Sequence, residues 1–273
     1  MPSLLTPAIL SSFRATPLLA SSWYYVAAAT FSVCNRPEEI PVIFKYAVEH
    51  DARRRLAAPQ PTLEETLLND SLTRPSSPTG STRSTGSYGP EDESALVDCT
   101  DRDPADVAEI VRKTREALLK GCALAGLPKT INSMIQLRNA TPHEFRNEVV
   151  VRPTLSSEDE QIRGTEFWNQ VYGKVSRRVL SQMNTAYPDL AQYAVQHVYS
   201  PLLSFTSILS AKETSYVIIA CLIPQDVNPQ LKGHLKGGLN NGATKEEIMR
   251  VRELSIQICT LCGITWKEDV AKL

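Results

Sequence analysis

The apolar positions of this chain fall at helical spacing, and no stretch shows sustained period-two alternation. From Ala243 to Cys262 apolar residues recur on one helical face, Thr244 followed by Glu247 has the pattern of a capping box, and Gly263 supplies a stop. Upstream, Leu231, Leu235 and Leu239 form an i, i+4, i+8 stripe, with Gly238 beside it as a place where another backbone can approach closely. Asp103-Pro104 opens a further helix with an acidic N-cap and a proline in the first turn. Glu158 to Met183 and Pro188 to Leu209 read as two more helices. The predicted class is all-α.

The helices recur in order. REALLKGCALAGLPK (Arg115 to Lys129) lies over RELSIQICTLCGITW (Arg252 to Trp266) with Arg-Glu, Cys122/Cys259, Leu124/Leu261 and Gly126/Gly263 matched at an offset of 137 residues. The segment Ser22 to Val48 resembles Thr214 to Leu239 at an offset of 191 to 192. The difference, about 54 residues, is the length of an insertion in the first copy. Within it SLTRPSSPTGSTRSTGSYGPEDESA (residues 71–95) offers almost nothing to bury and is predicted to be disordered. The expected organisation is a first helical repeat from 1–50 and 103–150, an insertion over 51–102, and a second repeat over 151–273.

Composition narrows the function. Lys plus Arg number 29 against 30 Asp plus Glu, a net charge of −1, which gives no electrostatic case for nucleic acid or for an anionic membrane surface. The longest N-terminal apolar run, Trp23 to Val33, is about half the roughly 20 residues a spanning helix needs, so no membrane span is predicted. The first 37 residues carry Arg14 and Arg36 and no acid, which is mitochondrial-presequence composition; recurrence of the segment later in the chain favours an ordinary core helix. The six cysteines are too sparse for a disulfide scaffold and read as reduced, buried thiols of an intracellular protein.

The segment Leu209 to Val251, above all GHLKGGLNNGATKEEIMRV (Gly233 to Val251), resembles the carboxymuconolactone decarboxylase family, which includes the alkyl hydroperoxide reductase D proteins. A histidine, a small-residue helix, an Asn-Gly turn and a Thr-capped Glu-Glu-Ile helix stand in that family's order. The resemblance implies an all-α fold of antiparallel helices that normally forms homo-oligomers, and with the internal recurrence the expected architecture is a tandem copy of that unit. In its peroxidase-type members a glutamate, a Cys-x-x-Cys pair and a histidine form a proton relay. With His234 as the histidine, the cysteine positions hold Val227 and Gln230 and the glutamate position holds Ser215, with Glu213 two residues away. Thiol peroxidase chemistry by that route is therefore not expected. Decarboxylase-type members lack the cysteines and use the histidine, so His234 is the candidate proton-transfer residue for a small carbonyl, lactone or peroxide compound, with Ser215 and Glu213 as weaker candidates. The alternative is a non-catalytic descendant that binds a ligand or partner.

Cys259 and Cys262 form a Cys-x-x-Cys pair, but in the last turn of a helix, where the dipole disfavours thiolate, and at a separation beyond a relaxed disulfide. They read as packing residues, with no His or Cys nearby at ligand spacing to complete a zinc site. No metal or cofactor is expected. His50, His143 and His197 read as surface or interface residues.

The chain ends Ala271-Lys272-Leu273, a conservative variant of the Ser-Lys-Leu peroxisomal address, so the import receptor is the expected partner and the peroxisomal matrix the expected location, with mitochondria as the alternative. The polar Lys267-Glu268-Asp269 is expected to keep this tail accessible.

Overall fold

In the computed structural model, residues 3–54, 96–146, 149–152 and 157–273 are described, and the low-complexity stretch at 71–95 lies outside them. The described residues are all-helical. Helix α1 (Pro7–Arg14) leads into α2 (Trp23–Val33) and α3 (Ile40–Asp51), followed by α4 (Pro104–Ala125) and α5 (Leu127–Ala140). A middle group, α6 (Ser157–Tyr172), α7 (Ser176–Ala186), α8 (Pro188–Tyr193) and a π-helix (Ala194–Leu203), precedes α9 (Ala211–Leu222), α10 (Asn228–Asn240) and α11 (Lys245–Leu261). None of these helices is long and apolar enough to cross a membrane.

Helix α2 is buried at every position, and nearly all of α9 is buried too. A helix apolar on all sides needs neighbours on all sides. Helix α2 packs against α4, α9, α11 and α3, and it belongs to the core rather than to a detached leader. Polar groups on α2 find partners: Thr30 Oγ1 donates to Val26 O at 2.9 Å, and Ser32 Oγ accepts from Ser133 Oγ at 2.8 Å.

Helix ends follow the sequence signals. Asp103 accepts from Ala105 N at 2.9 Å ahead of Pro104, and Thr244 with Glu247 forms a complete capping box. A second capping box, Ser210 with Glu213, opens α9. Each all-buried helix is followed by a residue with φ of +57°, Asn35 or Asp226, next to a proline-containing 3₁₀ turn. Helices α4 and α11 run out at Gly126 and Gly263, both at positive φ. The 51–102 stretch leaves and returns at one point: Arg53 grips Asp106 at 2.9 Å, its carbonyl accepts from Asp103 N at 2.8 Å, and Arg54 bridges to Arg102.

Three expectations are corrected. The helix read over Glu158 to Met183 breaks at Gly173, whose φ of +52° is left-handed, so α6 and α7 are separate. The helix read over Pro188 to Leu209 ends at Leu203 and is π-helical over its second half, where Pro201 lacks the N–H that regular pairing requires. In the apolar stripe Leu231 and Leu235 are buried but Leu239 is 41% exposed, and the close backbone approach is at Gly237, where an added Cβ would lie 3.1 Å from Val171 O, rather than at Gly238, which meets the Ile248 side chain.

The π-helix ends on Lys120. This side chain is 0% exposed and donates to Leu202 O at 3.0 Å, Leu203 O at 3.1 Å and Phe205 O at 2.8 Å, with Glu116 at 3.6 Å. A cation at a helix C-terminus satisfies orphan carbonyls, which compensates its desolvation. Burial still lowers its pKa to about 8. The π-helix also runs closely along α6, where Gly164 faces Ser200 so tightly that a methyl group there would overlap its Cα. Gly164→Ala should therefore cost about 1–3 kcal/mol by overpacking, read as a lowered urea midpoint; an unchanged midpoint would show that this crossing is loose.

Candidate functional site

His234 sits in the second turn of α10, where Gly233 and Gly237, four residues apart, let the end of α6 settle against the helix. Asn240 Nδ2 donates to Val171 O at 2.9 Å, so the two helices are stitched beside the histidine. The imidazole is 9% exposed and lies edge-on to Tyr172, with ring centroids 5.7 Å apart. Tyr172 Oη is 3.4 Å from His234 Nε2, and Tyr199 Oη donates to Tyr172 Oη at 3.3 Å. Trp168 closes the group, 4.4 Å from the Tyr172 ring and 4.7 Å from the Tyr199 ring.

This is an aromatic cluster with a weak polar thread, since bonds of that length are at the outer limit of hydrogen bonding. Burial pushes the His234 pKa down to about 4 and raises those of Tyr172 and Tyr199. At neutral pH all three groups are uncharged. A general base works best with a pKa near the working pH, and burial moves His234 away from that range. The end of α6 covers the imidazole. Sequence reasoning missed the three aromatic partners because they come from segments 35–66 residues upstream, with no local pattern to link them.

The weaker candidates lie elsewhere. Ser215 Oγ donates to Ala211 O at 3.0 Å and accepts from Asn241 Nδ2 at 2.9 Å, seven residues beyond His234 and so roughly 10 Å further along α10. Glu213 closes its capping box, pairs with Lys113 at 3.0 Å and accepts from Tyr25 Oη at 3.3 Å. Burial tends to raise its pKa, but the bonds from Ser210 and Lys113 prevail and hold it below the usual range. Glu213 is thus a junction of α2, α4 and α9, and neither it nor Ser215 joins His234.

The thiols need one correction. Cys34, at the end of α2, lies in hydrogen-bonding contact with both Cys259 and Cys262, so the pair has a third cysteine beside it. Hydrogen bonding to Cys259, together with burial, pushes the Cys34 thiol up to about 12; bonding to Cys34 and burial raise Cys262 as well. These are poor nucleophiles at neutral pH. No group of three or more His, Cys, Asp or Glu side chains is placed to hold a metal among the described residues. His50 stacks on Tyr46 and His197 lies against Tyr193.

The tail is also not as expected. Val270 and Ala271 are buried, Ala271 to 6% exposure. Arg252 donates to Ala271 O at 2.7 Å and to Val270 O at 2.6 Å, and Ala271 N donates to Asn228 Oδ1 at 2.8 Å. Lys272 is exposed and Leu273 half-buried. The polar 267–269 segment does not hold the end away from the protein, because the backbone groups behind it find partners on α10 and α11.

A cleft of about 670 Å³, predominantly apolar, lies away from His234, between α4, α5, the 143–145 turn and residues 150–152. The sequence carried no motif for it.

The carboxymuconolactone decarboxylase family matches residues 188–269. Over nearly its whole length the chain is similar to Peroxisomal protein 2 of Saccharomyces cerevisiae, 39% identical over 97% of this chain and 96% of that protein. It is also similar to Peroxisomal protein 2 of Schizosaccharomyces pombe, 36% identical over 92% of this chain and 91% of that protein. No solved structure matches.

The buried histidine has a measurable consequence. Its folded-state pKa of about 4 lies below the ordinary 6.5, so between these values the unfolded chain takes up the proton first. The stability due to neutral His234 should be complete above pH 6.5 and fall away as pH drops towards 4, by up to about 3 kcal/mol. Urea unfolding across that range should show the loss in the wild type and a flatter profile in His234→Gln; equal profiles would place the acid sensitivity elsewhere.

Proposed function

The chain belongs to the carboxymuconolactone decarboxylase family alongside these two yeast proteins and is peroxisomal, and we propose that within the matrix it acts as a binding protein in which the family fold persists without the family chemistry. The observation that supports this reading is the sealing of His234 beneath Tyr172, with its proton affinity depressed and, among the described residues, no carboxylate, thiol or serine bonded to it. A neutral, covered imidazole stabilises packing but has no route to a carbonyl or peroxide.

The same reading takes the chain as two helical units. Each has a largely buried helix, a 3₁₀ turn, a second helix and a third that stops at glycine, namely α2, α3 and α4, then α9, α10 and α11. The 51–102 stretch interrupts the first.

Turnover decides between binding and catalysis. Purified protein incubated with a carboxylated γ-lactone, or with an organic hydroperoxide and a dithiol, should consume neither above the rate without protein. Turnover that disappears in His234→Gln would overturn the reading.

The import receptor is proposed to read Ala271, Lys272 and Leu273 only after the tail leaves its seat on Arg252 and Asn228. Removing the two bonds from Arg252, which as charge-assisted bonds are worth about 1.5–3 kcal/mol each, should raise receptor affinity at least about ten-fold in Arg252→Ala. Deleting Leu273 should make an N-terminal fluorescent fusion diffuse. Unchanged puncta without Leu273 would reject the signal, and unchanged affinity in Arg252→Ala would reject the seat.

A further inference from the structure

The cleft between α4 and α5 combines aliphatic walls with two arginines that make no hydrogen bond or ion pair among the described residues, Arg112, which is exposed, and Arg115, which is half-buried. Val111 and Leu119 from α4, Met134 from α5 and Ile208 supply branched or flexible apolar surface, and Phe145 is the one aromatic ring among the described residues that line it. Arg152 also lines it but is occupied: it pairs with Glu116 at 2.7 Å, donates to Pro201 O at 3.2 Å and covers the Phe205 ring at 4.6 Å. Arg146 donates to Thr141 O at 2.9 Å.

Arg115 differs. It is half-buried, lines the cleft, and has no hydrogen bond or ion pair among the described residues. The charges that bear on it are those of Arg146 and Arg138, both positive; with burial they lower its pKa. Glu144 stands exposed on the cleft wall and makes no ion pair with it. A partly desolvated guanidinium facing like charges is costly unless something anionic completes it.

We infer that this cleft binds an aliphatic monocarboxylate, with the carboxylate held by Arg115 and the hydrocarbon chain lying against Val111, Leu119, Met134 and Ile208. A planar guanidinium with free N–H groups matches a carboxylate two bonds to two. The one unbonded arginine that is half-buried suits one negative charge, since exposed Arg112 stays solvated without a partner, and walls almost free of aromatic rings suit a saturated chain. The volume, about 670 Å³, lies within the range of small-molecule sites. The assignment deepens the binding reading and rests on it. Turnover tests whether the protein is a catalyst, whereas ligand titration tests what the cleft holds, so the two can fail separately.

The test is calorimetric titration of the full chain with decanoate below its micellar concentration, with decan-1-ol and inorganic phosphate as comparisons. Decanoate should bind saturably, at least ten-fold more weakly to Arg115→Ala, and not measurably to Arg115→Glu, with Arg115→Lys retaining part of the affinity. Both comparison ligands should bind poorly. Because Arg115 makes no bond within the described protein, Arg115→Ala should melt no lower than the wild type. Equal affinity for decan-1-ol would make the site merely greasy, equal affinity for phosphate would make it a plain anion site, and no saturable decanoate binding, or binding indifferent to Arg115, would remove the site; each overturns the inference.

Discussion

The fold depends on a helix that cannot exist alone. Every residue of α2 is buried, including Trp23, Tyr25 and Phe31, so the helix is stable only when neighbours cover its whole circumference. Those neighbours come from both ends of the sequence: α3 and α4 lie just downstream of it, and α9 and α11 lie some 180 to 240 residues further on. The two halves must therefore fold as one core. Bonds across the boundary are few and specific, such as Thr30 to Ser255 at 3.4 Å and Tyr25 to Glu213 at 3.3 Å, and they set register while apolar burial supplies the driving force.

That core accounts for the fate of the site. The glycines of α10 that carry the family resemblance also permit a close approach, and α6 uses it, bringing Val171 against Gly237 and Tyr172 against His234. The resulting aromatic group of Trp168, Tyr172 and Tyr199 is well packed, and its polar atoms are poorly served: among the described residues, the Trp168 Nε1 has no partner. Retention of His234 thus has a packing explanation that needs no substrate. The buried charges obey a different rule. Lys120 and Glu213 sit at helix ends, where backbone groups left over by the helices compensate them, so they hold elements together rather than act on a ligand.

The sequence revealed most where structure is locally specified. Asp103, Thr244 and Glu247 announce helix starts because a cap acts within one turn, and Gly126 and Gly263 announce stops because a left-handed residue ends a helix wherever the fold lies. Periodicity failed where a long-range neighbour decided the outcome. Leu239 continues an apolar stripe but finds little to pack on, whereas polar His234 is covered by a helix some 60 residues upstream. The break at Gly173 went unread because glycine inside a helical pattern is tolerated as often as it ends one. Neither the third thiol, Cys34, nor the cleft beside Arg115 could be found from spacing, since both are assembled from remote segments.

The two arginines that open the matched Arg-Glu pairs show how one helical position serves two ends. Arg252 and Arg115 stand 137 residues apart, Arg252 on α11 and Arg115 on α4. In the second half the chain terminus returns, and Arg252 closes on the carbonyls of Val270 and Ala271. In the first half no segment of the described chain returns to Arg115, and the space beside it is a cleft. A guanidinium satisfied by the protein's own backbone fixes a tail; the same group left unsatisfied beside apolar walls forms the charged end of a binding site. The difference lies in the path of the chain beyond each helix rather than in the helix itself. Arginines that open matched Arg-Glu pairs can for that reason hold one end of the chain and, separately, offer room for a ligand.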